Sequence, residues 1–265
     1  MTTAPTNPRS LGLGAAAGLL AGLFGVGGGV VLVPGMVLLM GVAQHVAHAT
    51  SLVAILITAP AAVIGFGLDG SVAYAAGGAT AAGAVVGAFG GAALMHRISP
   101  TRLRQAFAVL LLIVAVRLII QVGGSPQAAD AVGIDALSLL SFAGLGLAAG
   151  VLSALMGVGG GVIMVPAFVL LFGMDQHTAE GTSLLVIIPT AVMGAYRHSR
   201  HGYTTWRLGL LIGAGGIVGG LLGAQAALAL PAEILQRLFA GFLVLTGVRM
   251  LLKARPPRAA ETPPA

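Results

Sequence analysis

The ten residues GVGGGVVLVP, Gly25 to Pro34, return as GVGGGVIMVP from Gly157 to Pro166, 132 positions later. The same offset carries Gly41 onto Gly173, Gln44 onto Gln176, His45 onto His177 and Thr50-Ser51-Leu52 onto Thr182-Ser183-Leu184. It also carries Thr58 onto Thr190, Tyr74 onto Trp206, Phe107 onto Phe239 and Val116-Arg117 onto Val248-Arg249, with a one-residue adjustment near Pro100 and Pro231. A register held this far marks a duplication of nearly the whole chain, so the fold must be built from two copies of one unit.

The unit belongs in a membrane. Hydrophobic residues make up 57% of the chain and charged residues 8%, and the mean hydropathy is +1.02. A soluble domain carries about 25% charged residues, and a water-soluble globule could not hide this much apolar surface. The expected class is an all-α polytopic membrane protein. Its 42 glycines suit transmembrane helices whose backbones pack closely. With no cysteine, disulfides and thiolate metal or iron–sulfur sites are excluded, and no metal or cofactor motif is expected. The net charge of +6 sits in short loops between apolar runs, which points to membrane topology and away from nucleic acid.

Each half reads as five apolar segments, 11–24, 30–40, 46–68, 72–95 and 103–121 in the first and 139–156, 162–172, 178–197, 205–230 and 234–252 in the second. Arg9 followed by the run at 11–24 has the look of a signal peptide, but the run recurs internally at 139–156 and is read as retained. The expected organisation is a disordered N-terminus (1–10), a first repeat (11–121), a linker (122–138), a second repeat (139–253) and a disordered tail (254–265). A full crossing takes about 20 residues. The last three segments of each half reach or approach that length; the first two fall short, and the glycine phrase lies between them.

Charge bias decides how the short segments run. Arg97, Arg102 and Arg104 mark one loop as cytoplasmic, Arg197, Arg200 and Arg207 another, and Lys253, Arg255 and Arg258 place the C-terminus there too. Asp130 and Asp135 put the linker outside. The two basic loops are not equivalent in the repeat, since one precedes a fifth segment and the other follows a third. The halves are therefore expected to be inverted, each with an odd number of crossings: three transmembrane helices plus a glycine-broken half-helix pair forming a re-entrant hairpin. Merging each pair into one span gives eight helices, an even count per half and parallel repeats.

Short, glycine-interrupted segments at matching places in two inverted halves point to a transporter's substrate site. Non-helical backbone at membrane depth is tolerated only inside protein or beside a water-filled cavity. Two helix N-termini meeting there offer free N–H groups and about half a positive charge each, an anion site without buried Lys or Arg. The candidate binding residues are Gly27, Gly28 and Gly29 with Gly159, Gly160 and Gly161. The competing reading is helix packing, which suffices for scattered glycines such as Gly83 and Gly87. The hydroxyls of Thr50, Ser51, Thr182 and Ser183 are the next candidates, as donors to anion oxygens; back-bonding to the preceding helical turn is the alternative. His45, His177 and Glu180 could carry protons, or stand in solvated loops. Arg117 and Arg249 near helix ends read as anchors.

The paired glycine phrases, followed by HATSL and EGTSL, resemble the TauE/SafE sulfite exporter family of membrane transporters, and the likeness runs from Leu11 to Leu252. The resemblance implies export or permeation of small sulfur-containing anions, sulfite or organosulfonates, using the proton gradient. His48 and Glu180 occupy equivalent positions and differ in type, which counts against a proton role at that position.

The expected function is a secondary transporter of the cell (inner) membrane that exports a small anionic solute from a midplane site, with the bilayer as its other partner. A passive anion channel of the same architecture and a non-transporting membrane assembly subunit are the alternatives. A membrane enzyme lacks support, because the sequence holds neither a metal-binding cluster such as H-E-x-x-H nor a pair of intramembrane carboxylates. The residues specify no oligomeric state.

Overall fold

The computed structural model describes residues 8–94, 100–120, 135–156, 160–200 and 202–252. Ten α-helices, and no β-strand among the described residues, carry the chain. The first half holds α1 (Pro8–Phe24), α2 (Gly29–Met40), α3 (Gln44–Leu68), α4 (Tyr74–Leu94) and α5 (Pro100–Ile120). The second holds α6 (Ala136–Met156), α7 (Gly161–Phe172), α8 (Gln176–Arg200), α9 (Trp206–Ala229) and α10 (Ala232–Leu252). These follow the ten apolar segments. The tail, most of the linker, residues 1–7 and Gly157 to Gly159 lie outside the described residues.

Local chemistry sets the boundaries. The chain enters α1 at Pro8, ahead of the apolar run, because proline suits a first helical turn. Gly41 and Gly173 end α2 and α7 in the left-handed region, at φ 65° and 67°, where an L side chain would be strained. Arg197, His198 and Arg200 lie in the last turn of α8, where cations meet the negative end of the helix dipole.

Packing is reciprocal between the halves. α1 lies against α9, and their repeat counterparts, α6 and α4, lie against each other. A Cβ at Gly14 would sit 1.9 Å from the Ile212 carbonyl oxygen, and at the equivalent Gly146 it would sit 2.0 Å from that of Thr80. Gly215 meets Leu11 as Gly83 meets Ala143, at 2.2 and 1.9 Å. At these crossings backbone touches backbone, which only glycine permits.

The same contacts give helix directions. Gly14, Gly18 and Gly22 face Ile212, Gly216 and Gly220 in order, so α1 and α9 run the same way. α3 runs with them, because Gly209, Gly213 and Gly220 meet Val53, Ile57 and Ala62. α2 doubles back along α1, with Gly28 beside Ala17 and Gly35 against Leu13. α8 runs against α3, Gly194 on Leu52 and Gly181 on Phe66. α4 runs with α8, from the Ala73–Thr182 contact to Arg197 over the Phe89 ring, and with α6 through Gly83–Ala143 and Gly87–Leu147. Thus α1, α3 and α9 point one way, and α6, α8 and α4, their repeat counterparts, point the other.

Among the described residues five helices are long and apolar enough to cross a membrane: α3, α8, α9, α10 and the stretch Ala136–Ser153 of α6. Their outer surfaces are greasy, with Leu68, Leu137, Leu140, Leu222 and Leu252 all largely exposed. That surface is costly in water and ordinary in lipid. α2 and α7, at 12 residues each, reach about 18 Å, too short to span a core of about 30 Å.

The close crossings make a testable distinction between glycines of one helix. Gly14→Ala is expected to destabilise the detergent-solubilised protein by about 1–3 kcal/mol through overpacking. Gly12→Ala, with nothing within 4 Å of its Cβ, is expected to leave the Tm unchanged or raise it. Equal thermal melts for the two variants would contradict the backbone contact.

Candidate functional site

The break between α1 and α2 is a run of left-handed glycines. Gly25, Gly27 and Gly28 have φ of 66°, 71° and 75°, a conformation that L side chains rarely adopt. Gly28 caps α2, its carbonyl accepting from the N–H groups of Val31 and Leu32 at 3.0 and 2.9 Å. Gly160, at φ 80°, caps α7 in the same way, accepting from Ile163 and Met164 at 3.0 and 3.1 Å. Neither cap is a side chain, so each helix opens on bare backbone. Gly27, Gly28, Gly29, Gly160 and Gly161 are all buried. Gly159 lies outside the described residues.

The two breaks converge at the crossing of α3 and α8. A Cβ on Gly161 would lie 2.7 Å from the Gly25 carbonyl oxygen and 2.8 Å from Val26 Cα, so the start of α7 rests on the first glycine phrase. Gly27 sits between Ile187 of α8 and Ile55 of α3, at 3.1 and 3.8 Å from a notional Cβ. Ile55 and Ile187 are equivalent in the repeat and both fully buried. This isoleucine pair closes the centre around both helix starts, and the sequence reading did not single it out.

The duplicated threonines cross between the halves. Thr50 Oγ1 of α3 accepts from the N–H of Thr205, the residue before α9, at 3.2 Å. Thr182 Oγ1 of α8 accepts from the N–H of Ala73, the residue before α4, at 2.9 Å. Each satisfies a backbone donor at a helix start that has no intrahelical partner, and an accepting hydroxyl still has its own proton to give. The serines turn back along their helices, Ser51 donating to His48 O at 2.8 Å and Ser183 to Glu180 O at 3.0 Å. Ser183 also donates to the carbonyl of Gly25, tying α8 to the first glycine break.

The equivalent starts of α3 and α8 differ. Gln44 and His45 are exposed, with the His45 ring edge-on to Tyr203 at 5.0 Å. Gln176 is buried, and its amide donates to Glu180 Oε1 at 2.7 Å. His177 places Nδ1 3.6 Å from Asp175 and Nε2 3.1 Å from the carbonyls of Ala227 and Leu230, at the end of α9. Asp175 caps α8, accepting from the N–H groups of His177 and Thr178 at 2.9 and 3.2 Å and from the Thr178 hydroxyl. Burial alone would raise the Asp175 pKa, but the hydrogen bonds from His177 and Thr178 outweigh it and hold the carboxyl below its ordinary value. The three candidate proton carriers are thus placed differently: His45 in the open, His177 in a latch, Glu180 sealed inside.

Asp175 and Gln176 carry no role among the expectations drawn from the sequence. The signals were present: an acid one residue before a helix start, and a Gln four residues before a Glu. Among the described residues no group of three or more His, Asp or Glu could hold a metal ion.

Two outcomes follow. Thr182→Val leaves the buried Ala73 N–H without an acceptor and is expected to cost about 1–3 kcal/mol, with Thr182→Ser close to wild type; matching thermal melts for all three proteins would discount the bond. The folded-state pKa of Asp175 lies below its unfolded-state value of about 3.9. Its stabilisation is therefore whole above that pH and is lost as pH falls through the lower, folded-state value. Asp175→Asn should remove that component, so melts of variant and wild type should converge on acidification; a constant gap from pH 6 down would argue against it.

Comparison with known proteins gives one consistent answer. The family model described as "Sulfite exporter TauE/SafE" matches residues 1–118 and 142–265, one match in each half. A "Probable membrane transporter protein" of Xylella fastidiosa (strain Temecula1) is 27% identical over 92% of this chain and 95% of its own. "Probable membrane transporter protein YunE" of Bacillus subtilis is 27% identical over 90% of this chain and 95% of its own. A "Probable membrane transporter protein" of Haemophilus influenzae is 28% identical over 91% and 96%. No solved structure matches. With a duplicated, multi-helix apolar fold and a family match in both halves, the chain belongs to the sulfite exporter TauE/SafE family of membrane transporters.

Proposed function

We propose that this protein is a secondary transporter that exports a small oxyanion, sulfite or an organosulfonate, bound near the membrane midplane between the starts of α2 and α7. One observation carries the reading: the two glycine breaks, far apart in sequence, meet with Gly161 against Gly25 and Val26. Two bare helix starts brought together present N–H donors and partial positive charge. No Lys or Arg stands among the described buried residues, so backbone would supply the attraction. In this reading Gly27, Gly28, Gly29, Gly160 and Gly161, with Gly159, let the anion approach the backbone. In the same reading Ser183, bonded to the Gly25 carbonyl, and its counterpart Ser51 hold the helices at this level. Thr50 and Thr182, whose own protons are not spent, offer hydroxyl donors to the anion on its way to or from the site.

The architecture we infer is a pair of inverted repeats, 11–121 and 139–253, each a re-entrant hairpin followed by three crossings. It is supported by the opposite directions of counterpart helices and by the doubling back of α2 along α1. Basic loops then face the cytoplasm of a cell whose inner membrane holds the protein, with the C-terminus on the same side. Rocking of one half against the other exposes the anion alternately. The unlike burial of His45 and His177 at equivalent positions supports a device that is shut at one end at a time.

The reading is tested with purified protein in liposomes loaded with sulfite, then with alkylsulfonates and sulfate. Saturable efflux is expected. Gly28 is left-handed, and a Cβ there would lie 3.1 Å from the Ala17 carbonyl, so Gly28→Leu should reduce flux to background while the protein still reaches the membrane. Gly160→Leu should do the same. Normal transport by either variant refutes the paired helix-start site, and flux that follows voltage without saturating indicates a channel.

A further inference from the structure

Glu180 is the only charged side chain among the described buried residues, with 0% of its surface exposed. Its Oε1 accepts from Gln176 Nε2 at 2.7 Å. Its Oε2 and the Gln176 side-chain carbonyl are both buried and have no hydrogen-bond partner. Among the described residues no counter-charge pairs with it. Gly25 and Ser183 give backbone and hydroxyl groups, and Phe66 and the Ser71 carbonyl pack on the neighbouring Gly181. At the start of α8, Asp175 acts on Glu180 with a charge of the same sign, and His177 is occupied with Asp175 and the end of α9. Arg9 of α1, Asp69 and Tyr74 at the turn between α3 and α4, and Glu233, Arg237 and Arg249 of α10 are exposed and form no ion pair with it. His45 and His48 lie at the far end of α3, and α2 and α7 carry no ionisable group.

A bare carboxylate in such a place is costly enough that it takes up a neutralising partner. The two orphan atoms identify that partner. Both are acceptors, and one proton on Oε2 supplies the donor they lack, turning carboxyl and carboxamide into a pair in which each side both gives and receives. We propose that Glu180 is a proton-binding site of this transporter, holding a proton on Oε2, paired with Gln176, while the start of α8 is shut. The repeat counterpart cannot do this, since Gln44 is exposed and a histidine, His48, stands where Glu180 does. One half alone therefore carries the proton.

The site is joined to the glycine break. A Cβ on Gly25 would lie 2.6 Å from Glu180 Cα, and Gly25 leads directly to the start of α2. Resting on the anion reading above, the coupling is electrostatic: an anion at that helix start repels an ionised Glu180 and favours the protonated one. By linkage the proton then favours the anion equally.

Infrared difference spectroscopy of the purified protein, with glutamate carrying a heavy carbon in its carboxyl, tests the proton directly. A protonated-acid carbonyl band that shifts with the label at neutral pH, and is missing from Glu180→Gln, is expected; no such band in the wild type overturns the proposal, even if the variant does not fold. In liposomes, net sulfonate flux through Glu180→Gln should no longer respond to an imposed pH gradient that drives the wild type. A variant that still follows the gradient refutes the coupling. A wild type that moves no anion defeats the proposed function, while the infrared band still decides the proton site.

Discussion

Inside a bilayer no water is on hand for a peptide group that leaves a helix, and this constraint governs the structure. The chain leaves the helix at Gly25–Gly28, and everything around that point can be read as enclosure. Ile55 and Ile187 close it from both sides, Ser183 engages the Gly25 carbonyl, and the start of α7 lies on top. α3 and α8 cross there, and α1, α9, α4 and α6 hold that crossing through glycine faces so close that backbones touch. The break is thus buried in protein, and the greasy outer surface is left to lipid.

A two-fold design also makes departures from symmetry informative. At the starts of α3 and α8, matching residues meet dissimilar surroundings. His45 meets Tyr203 in the open, whereas His177 bridges Asp175 and two carbonyls that end α9. Position 43 is alanine where position 175 is aspartate, so only the second half has the acid that caps and fastens its long helix. Polar groups not repeated between the halves cluster at that one end, while the repeated ones, Thr50 with Thr205 and Thr182 with Ala73, hold both halves alike.

Much of this was legible in the sequence because it rests on period, length and chirality. Ten apolar runs became ten helices, and the glycine phrases fell where helices break, since few residues other than glycine tolerate positive φ. What escaped depends on pairs brought together by packing. Nothing local announces that the Thr182 hydroxyl meets the Ala73 N–H, 109 residues away. Nor does sequence separate Glu180, sealed, from His48, half-buried, since both occupy the same repeat position. The isoleucines at 55 and 187 looked like any apolar residues in a span. Periodicity reports which face a residue lies on, but not what arrives to meet it.

The reciprocal packing of α1 on α9 and of α6 on α4 bears on how the chain is made. A ribosome delivers α1 long before α9 exists, so the glycine face of α1 enters the bilayer with nothing to rest against and must wait, exposed to lipid or held by the insertion machinery. α4 waits less, since α6 follows soon after the linker. Final closure therefore comes late in synthesis, when α9 slides in beside both α1 and α3. A nascent chain stopped before α9 would leave an unfilled groove along α1, a recognisable target for membrane quality control.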